Sequence, residues 1–210
     1  MKFRERKISV ITADDHRIIT KSMAFIIKEM YEDAEVHQLS TIAEVMDVLQ
    51  STAIDLLVLD ISFPDGNPLN ILPVLRKKYP HLIILVFSGH EEEHYALRCV
   101  NSGANGYLSK LSTEEEIQNA ICEVMTSGKY FSKNIQEKIL KNYFLKKPIN
   151  AMDNLTNREF EIAKLLAVGY NNMEISNHLN IKASTVSTYR NRVFEKLEID
   201  SIADLIQFFD

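Results

Sequence analysis

The sequence predicts an α/β doubly wound five-stranded parallel sheet followed by a small all-α domain. Three observations carry that prediction. Apolar runs of strand length alternate with helical periodicity through five units before residue 128. Two of those runs, Leu56 to Leu59 and Leu82 to Phe87, are continuous, as strands buried on both faces are. Beyond residue 150 only helical spacing remains, broken at Gly169 and Asn180.

The elements follow in order. Ile8 to Ala13 is the first strand and ends at Asp14-Asp15. Ile18 to Met30 places Ile19, Met23, Ile26, Ile27 and Met30 at helical spacing. Glu35 to Leu39 is a weaker strand, and Thr41 to Leu49 a helix with Ile42, Val45, Met46 and Leu49 on one face. The third strand ends on Asp60, and Phe63-Pro64-Asp65-Gly66 after it is turn chemistry. Asn70 is expected to cap the next helix, which would put Pro73 in the first turn, where its missing N–H costs little. The fourth strand ends at Ser88, a helix from Glu91 to Ser102 stops at Gly103, and Tyr107-Leu108 leads to Lys110. Ser112 and Glu115 form a capping box for a helix carrying Ile117, Ala120, Ile121, Val124 and Met125.

Strands alternating with helices imply parallel pairing, because parallel strands need crossovers. The carboxyl ends of such strands converge on one edge, where open α/β sheets hold their ligands. Here those ends carry Asp14, Asp15, Asp60, Ser88 and Lys110. Carboxylates gathered in one crevice repel unless a cation sits among them, and Mg²⁺, a hard ion that keeps several waters, suits them. Lys110 and Ser88 add charge neutralisation and a hydroxyl for a phosphoryl group, and a carboxylate can be the nucleophile that accepts it.

Composition narrows the rest. No apolar run approaches the ~20 residues of a membrane span, and the start MKFRERKISV has no secretory core, so a cytoplasmic protein without a membrane partner is expected. Cys99 and Cys122 lack metal spacing and read as reduced thiols. Residues 1–128 hold 12 basic and 19 acidic residues, 129–148 hold 6 and 1, and 149–210 hold 6 and 9. Overall charge therefore gives nucleic-acid binding no support, which must come from a local cluster.

His90-Glu91-Glu92-Glu93-His94 formally satisfies the zinc-protease pattern HExxH, with both histidines on one helical face and a third ligand among Glu114 to Glu116. The acids also suit a helix N-terminus, which gives them a structural purpose and leaves the histidines solvated.

Between the domains, residues 129–150 read as a linker that is partly helical, with Ile135, Ile139, Leu140, Tyr143 and Phe144 at helical spacing and lysines on the solvated side. Residues 151–210 open with a capping box, Thr156 and Glu159, and a first helix ending at Gly169. A short helix capped by Asn171 or Asn172 follows, then a third beginning near Ser184. Val186, Tyr189, Val193 and Leu197 line its buried face. Ser187, Thr188 and Asn191 lie opposite among Arg190, Arg192 and Lys196, which suits a helix entering the major groove. A fourth helix from Ser201 to Phe209 offers Ile202, Leu205, Ile206 and Phe209 as a two-fold dimer contact.

Residues 7–127 resemble the receiver domain of two-component response regulators, a flavodoxin-like fold. The matching residues are Asp14-Asp15, Asp60 with Pro64, Ser88-Gly89, Gly103 to Tyr107, and Lys110. The resemblance implies that Asp60 accepts phosphate from a sensor histidine kinase. It also implies that Asp15, Asp60 and the Ser62 carbonyl ligate Mg²⁺ with Asp14 acting through water, and that Ser88 and Tyr107 move on phosphorylation. Pro68 departs from the family's glycine at that position. Residues 153–203 resemble the LuxR-type helix-turn-helix, through Leu155-Thr156, Arg158-Glu159, Gly169, Asn172, Glu174-Ile175, Thr185 to Arg190 and Lys196-Leu197. That resemblance makes Lys182, Ser184, Thr185, Ser187, Thr188, Arg190, Asn191, Arg192 and Lys196 the candidate contacts to double-stranded promoter DNA. Together the two imply a NarL/FixJ-type transcription regulator, not an enzyme, that dimerises when phosphorylated. A DNA-binding regulator controlled by partner proteins without phosphate is the alternative, and a zinc hydrolase using His90, Glu91 and His94 a third.

Overall fold

The computed structural model describes residues 7–63, 66–133, 135–137, 140 and 151–209. The chain divides into two compact units, residues 1–137 and 138–210.

In the first unit β1 (Ser9–Ala13), α1 (Arg17–Met30), β2 (Glu35–Leu39), α2 (Ile42–Ser51), β3 (Leu56–Leu59), α3 (Pro68–Lys78), β4 (Ile83–Ser88), α4 (Glu92–Asn101), β5 (Gly106–Ser109) and α5 (Glu114–Ser127) alternate. The five strands are ordered β2-β1-β3-β4-β5 and all pair in parallel. All four residues of β3 are buried, as the unbroken apolar run requires of a central strand covered by helices on both faces. One side of the sheet packs Val10, Leu56, Val58, Leu85 and Phe87 against Met23 and Ile27 of α1 and Ile117, Ile121 and Val124 of α5. Each such side chain contributes about 1.5–3 kcal/mol by leaving water.

Two caps differ from the sequence reading. Asn67, not Asn70, caps α3: its side chain accepts from Leu69 N–H, Pro68 takes the first helical position and Pro73 lies inside the helix. Pro68 is the reason, since its fixed φ suits the first turn and its absent N–H was unpaired there anyway. Thr113 and Glu116, not Ser112 and Glu115, form the box of α5.

The first unit also reaches past residue 128. Tyr130 N–H donates to Asn105 O, Tyr130 bridges to Gly106, and Ile135 is fully buried. Lys133, Ile135 to Glu137 and Leu140 are helical. Ile139, Tyr143, Phe144 and the Lys138, Lys141, Lys146 and Lys147 run fall outside the described residues, as do Pro64 and Asp65 in the turn after Asp60.

The second unit is helical: a 3-10 turn (Ala151–Asn154), α6 (Asn157–Ala167), α7 (Asn172–His178), α8 (Ala183–Leu197) and α9 (Ile202–Ile206). Its interior holds Phe160, Ile162, Leu166, Ile175, Val186, Val193, Leu197 and Leu205. Asn180, in the left-handed region at φ 49°, turns the chain between α7 and α8.

Candidate functional site

Sheet register builds the first site. Ala13 lies opposite Leu59, so the next residues, Asp14 and Asp60, leave the sheet side by side. Backbone bonds fix them: Asp60 N–H donates to Ala13 O, Asp14 N–H to Leu39 O, and Lys110 N–H to Ser88 O. The side chains then converge. Lys110 Nζ lies 2.6 Å from Asp14 Oδ2 and 3.0 Å from Asp60 Oδ2, with both carboxylates buried. Asp60 Oδ1 accepts from Ile61 N–H at 2.7 Å. Burial pushes the Asp60 carboxyl above its ordinary value despite Lys110, and the neighbouring Asp14 adds to the rise. Burial pulls the Lys110 ammonium down, but the two carboxylates outweigh it and hold it above its usual range.

Asp15 is more open. Its carboxylate lies 2.7 Å from His16 Nδ1, and the ligand atoms of Asp14, Asp15 and His16 all fall within 4.8 Å of one another. On the opposite wall Ser88 is fully buried and its Oγ accepts from His90 N–H at 3.2 Å. Tyr107, 1% exposed, donates its hydroxyl to His90 O at 2.8 Å, and burial pushes that phenol up. Ser62 is exposed and its hydroxyl shares a 2.9 Å hydrogen bond with His90 Nε2.

The second site is on α8. Helix α7 opens on Asn171, whose side chain accepts from Met173 and Glu174 N–H. Asn172 Nδ2 donates to Ser187 Oγ at 3.0 Å, which ties α7 to α8. Helix α8 starts at Ala183 with Lys182 at the cap position and no side-chain cap bond. Ser184, Thr188, Asn191 and Arg192 are exposed, with Thr185, Ser187 and Arg190 half-buried beside them. Arg190 lies 5.2 Å over the Phe194 ring and Arg192 5.9 Å over Tyr189, so both cations are held along the helix surface.

The receiver model, described as "Response regulator receiver domain", matches residues 10–122, and "Bacterial regulatory proteins, luxR family" matches residues 153–209. The chain belongs to the two-component response regulators. Its relatives are of the NarL/FixJ type, and the protein is a DNA-binding transcription regulator. Fimbriae Z protein of Salmonella typhimurium is 28% identical over 95% of both chains. Response regulator GacA of Pseudomonas aeruginosa is 28% identical over 94% of this chain and 93% of its own. The transcription regulator BvgA of Bordetella pertussis is 29% identical over 94% of each. Among solved structures, RcsB from Salmonella enterica serovar Typhimurium, bound to promoter P1flhDC with phosphomimetic BeF₃⁻, shares the fold. Its TM-score is 0.71 at 18% identity, covering 98% of this chain and 99% of that one. A structure of two RcsB dimers bound to two parallel DNAs has a TM-score of 0.61 at 19% identity, covering 97% and 98%.

Several residues of this response regulator have roles different from those expected of them. Lys196 turns inward: its Nζ lies 2.6 Å from Glu159 Oε2, a carboxylate that is almost wholly buried and also accepts from Thr156 N–H. Ser187 donates to Ala183 O while accepting from Asn172, so its hydroxyl serves the helix pair. Leu205 is fully buried in the unit's own core, and half-buried Phe209 packs on its own unit, meeting Phe160 at 5.8 Å between ring centroids. Ile202, half-buried, and Ile206, 37% exposed, are the large apolar side chains that α9 leaves partly open. The HExxH reading fails because Glu91 is the cap of α4 and His90 precedes it, so the two histidines do not share a helical face. Nor is His90 merely solvated: its ring stacks on Tyr95 at 4.5 Å. Sequence reasoning also missed Arg76. Its guanidinium donates to Gly103 O, Pro80 O, Leu82 O and Asn105 Oδ1, and clamps the segment between α4 and β5. The Gly103-to-Tyr107 motif was its available signal, since Asn105 lies inside it.

Proposed function

We propose that Asp60 is the phosphoacceptor of this response regulator, and that its phosphorylation by a sensor histidine kinase controls promoter binding by α8. The observation that carries this reading is Lys110 bridging two buried carboxylates at the ends of adjacent strands. One ammonium cannot neutralise Asp14, Asp15 and Asp60, and the oxygen-rich remainder fits a divalent cation. Asp15, Asp60 and the Ser62 carbonyl would ligate Mg²⁺, with Asp14 acting through water. Bound there, the ion would neutralise charge on the phosphoryl oxygens.

The protein's own part is then definite. An Asp60 oxygen forms a bond to phosphorus as the phosphorus–nitrogen bond of a phosphohistidine breaks, and the leaving imidazole takes up a proton. Lys110 would hold a phosphoryl oxygen, and Ser88, at the end of β4, would offer its hydroxyl to another. The group transferred stays on the protein, so this is a switch and not turnover of an external substrate. Ile18 and Leu111, a few residues beyond the ends of β1 and β5, are exposed and would give the kinase apolar side chains to meet.

On the second unit Lys182, Arg190 and Arg192 would meet phosphates, while Ser184, Thr185, Thr188 and Asn191 approach base edges. Ile202 and Ile206 would pair two copies about a two-fold axis on DNA, and RcsB is described as dimers bound to DNA. Among the described residues no helix is long and apolar enough to cross a membrane; a promoter as partner supports a cytoplasmic protein.

The test is intact mass after acetyl phosphate with Mg²⁺. A gain of one phosphoryl group, lost in Asp60→Ala, is expected, together with tighter DNA binding that Asp60→Ala does not show. Equal DNA binding with and without the phosphodonor would favour control by partner proteins instead.

A further inference from the structure

We propose that His16 selects the metal of the acidic pocket. Its imidazole nitrogen joins the carboxylates as a ligand and favours first-row transition dications such as Co²⁺ over Mg²⁺. The inference rests on the metal site proposed above and adds a ligand which that reading does not use.

His16 stands at the cap position of α1, where Ser, Thr, Asp or Asn would accept from the first amides of the helix. Its side chain makes no such bond. The local preference is forgone, and the ring goes to the carboxylates instead. Asp14 Oδ1 accepts from the His16 N–H at 2.9 Å, which fixes the peptide beside the pocket. Nδ1 then lies 2.7 Å from Asp15 Oδ1 and 3.3 Å from Asp14 Oδ1. Adjacent ligands of an octahedral ion with bonds of about 2.1 Å stand about 3.0 Å apart, a separation that these two distances bracket. Asp15, a direct ligand in the reading above, shares the ion with His16.

A nitrogen in that place discriminates among ions. Mg²⁺ is hard and prefers oxygen ligands and its own waters, so it gains little from an imidazole. Co²⁺, Ni²⁺ and Zn²⁺ take imidazole readily, and exchanging a water for it favours them. The contact to Asp15 carries the proton of the neutral ring on Nδ1, and coordination moves it to Nε2. The side chain is 68% exposed, so solvent can accept from that N–H.

The test titrates Mg²⁺ and Co²⁺ by calorimetry into the full chain, His16→Ser and Asp15→Asn. Ser is a favoured cap residue and His16 is exposed, so His16→Ser keeps the fold. That variant should bind Co²⁺ about tenfold more weakly, while its Mg²⁺ affinity stays within about twofold of the parent's. Proton NMR with one equivalent of Co²⁺ supplies a signature. A strongly shifted imidazole N–H resonance should be present in the parent and absent in His16→Ser. Equal Co²⁺ affinity in the two, an equal loss of both ions, or a shifted resonance that survives the substitution would overturn the proposal. Mg²⁺ binding that is retained in His16→Ser and lost in Asp15→Asn would meanwhile leave the metal site itself standing. A parent that binds neither ion, or an Asp15→Asn variant that binds both as the parent does, would refute the site and the part of His16 together.

Discussion

Replacing Lys196 with Met separates two roles that a cation on α8 can have. If the residue met a DNA phosphate, its loss would reduce the slope of log affinity against log salt by about 1 and leave the fold alone. The structure gives it the other role. Its ammonium sits 2.6 Å from Glu159 Oε2 and 3.3 Å from Asn154 O, and the Glu159 side chain is only 4% exposed. Met fills the space of the stem but strands that carboxylate with the Thr156 N–H and hydroxyl as its remaining support. A charge-assisted bond of this kind contributes about 1.5–3 kcal/mol, and the half-open Lys196 side chain places the loss near the lower end, about 2 kcal/mol. For a unit of this size that lowers the midpoint of thermal unfolding by roughly 8–16 °C.

Hydrogen exchange resolved to residues 157–197 in the full chain measures the loss where it occurs, and DNA binding at several salt concentrations supplies the slope. Acid gives a second reading. Burial alone would raise the Glu159 carboxyl, but Lys196 and Thr156 outweigh it and hold it below its ordinary value of 4.5. A lowered carboxyl contributes stability above that ordinary value and loses it as pH falls through the folded one. The gap between parent and Lys196→Met should therefore be full at neutral pH and close on acidification. Unchanged exchange with a salt slope smaller by about 1 would refute the reasoning and return Lys196 to the DNA surface.

Arg76→Ala should lower stability of the first unit by about 2–4 kcal/mol in chemical denaturation, because several carbonyl acceptors lose their donor together. Arg76→Lys should recover little of that, since an ammonium cannot reproduce the fork. Selection of binding sites from random DNA should show Asn191→Ala relaxing the preferred sequence, whereas Ser187→Ala weakens binding evenly by loosening the tie to Asn172. Ile206→Ser should weaken dimerisation in sedimentation without unfolding the protein. Leu205→Ala should instead cost about 2–5 kcal/mol of stability as a core cavity.

The strand-end chemistry was legible because two periodicities alone decide it. A continuous apolar run followed by an acid places that acid at the carboxyl edge, and parallel pairing brings the edges together. Which ends become neighbours is a matter of strand order, and Asp14 faces Asp60 because β1 pairs directly with β3. Cap positions were less determined. Ser112 and Thr113 each stand three residues before a glutamate in the Glu114-Glu115-Glu116 run, so the capping-box pattern fits twice. In the structure Thr113 takes the cap, its hydroxyl accepting from Glu116 N–H. Asn67 and Asn70 posed the same ambiguity, and Pro68 carried the deciding information. The role of Lys196 lay beyond local pattern altogether, because its partner is on another helix 37 residues away. For α9 an apolar stripe looks alike whether it covers its own unit or a second copy. Only Leu205 and Phe209 meeting the interior distinguishes them.

His90 shows how a motif can be present in letters and absent in geometry. HExxH binds zinc only when its two histidines lie one helical turn apart, which requires the helix to begin at or before the first of them. Here the acids between them decide otherwise. Glu92 and Glu93 occupy the first turn of α4, where their charges meet the unpaired N–H groups and the positive end of the helix. That preference starts the helix after His90 and leaves its peptide outside the helix, hydrogen-bonded to Ser88 and Tyr107. The acids that complete the pattern on paper are thus what keep His90 off the helix. In that position its ring reaches Ser62 on one side and Tyr95 on the other, a placement no helical phase could give it.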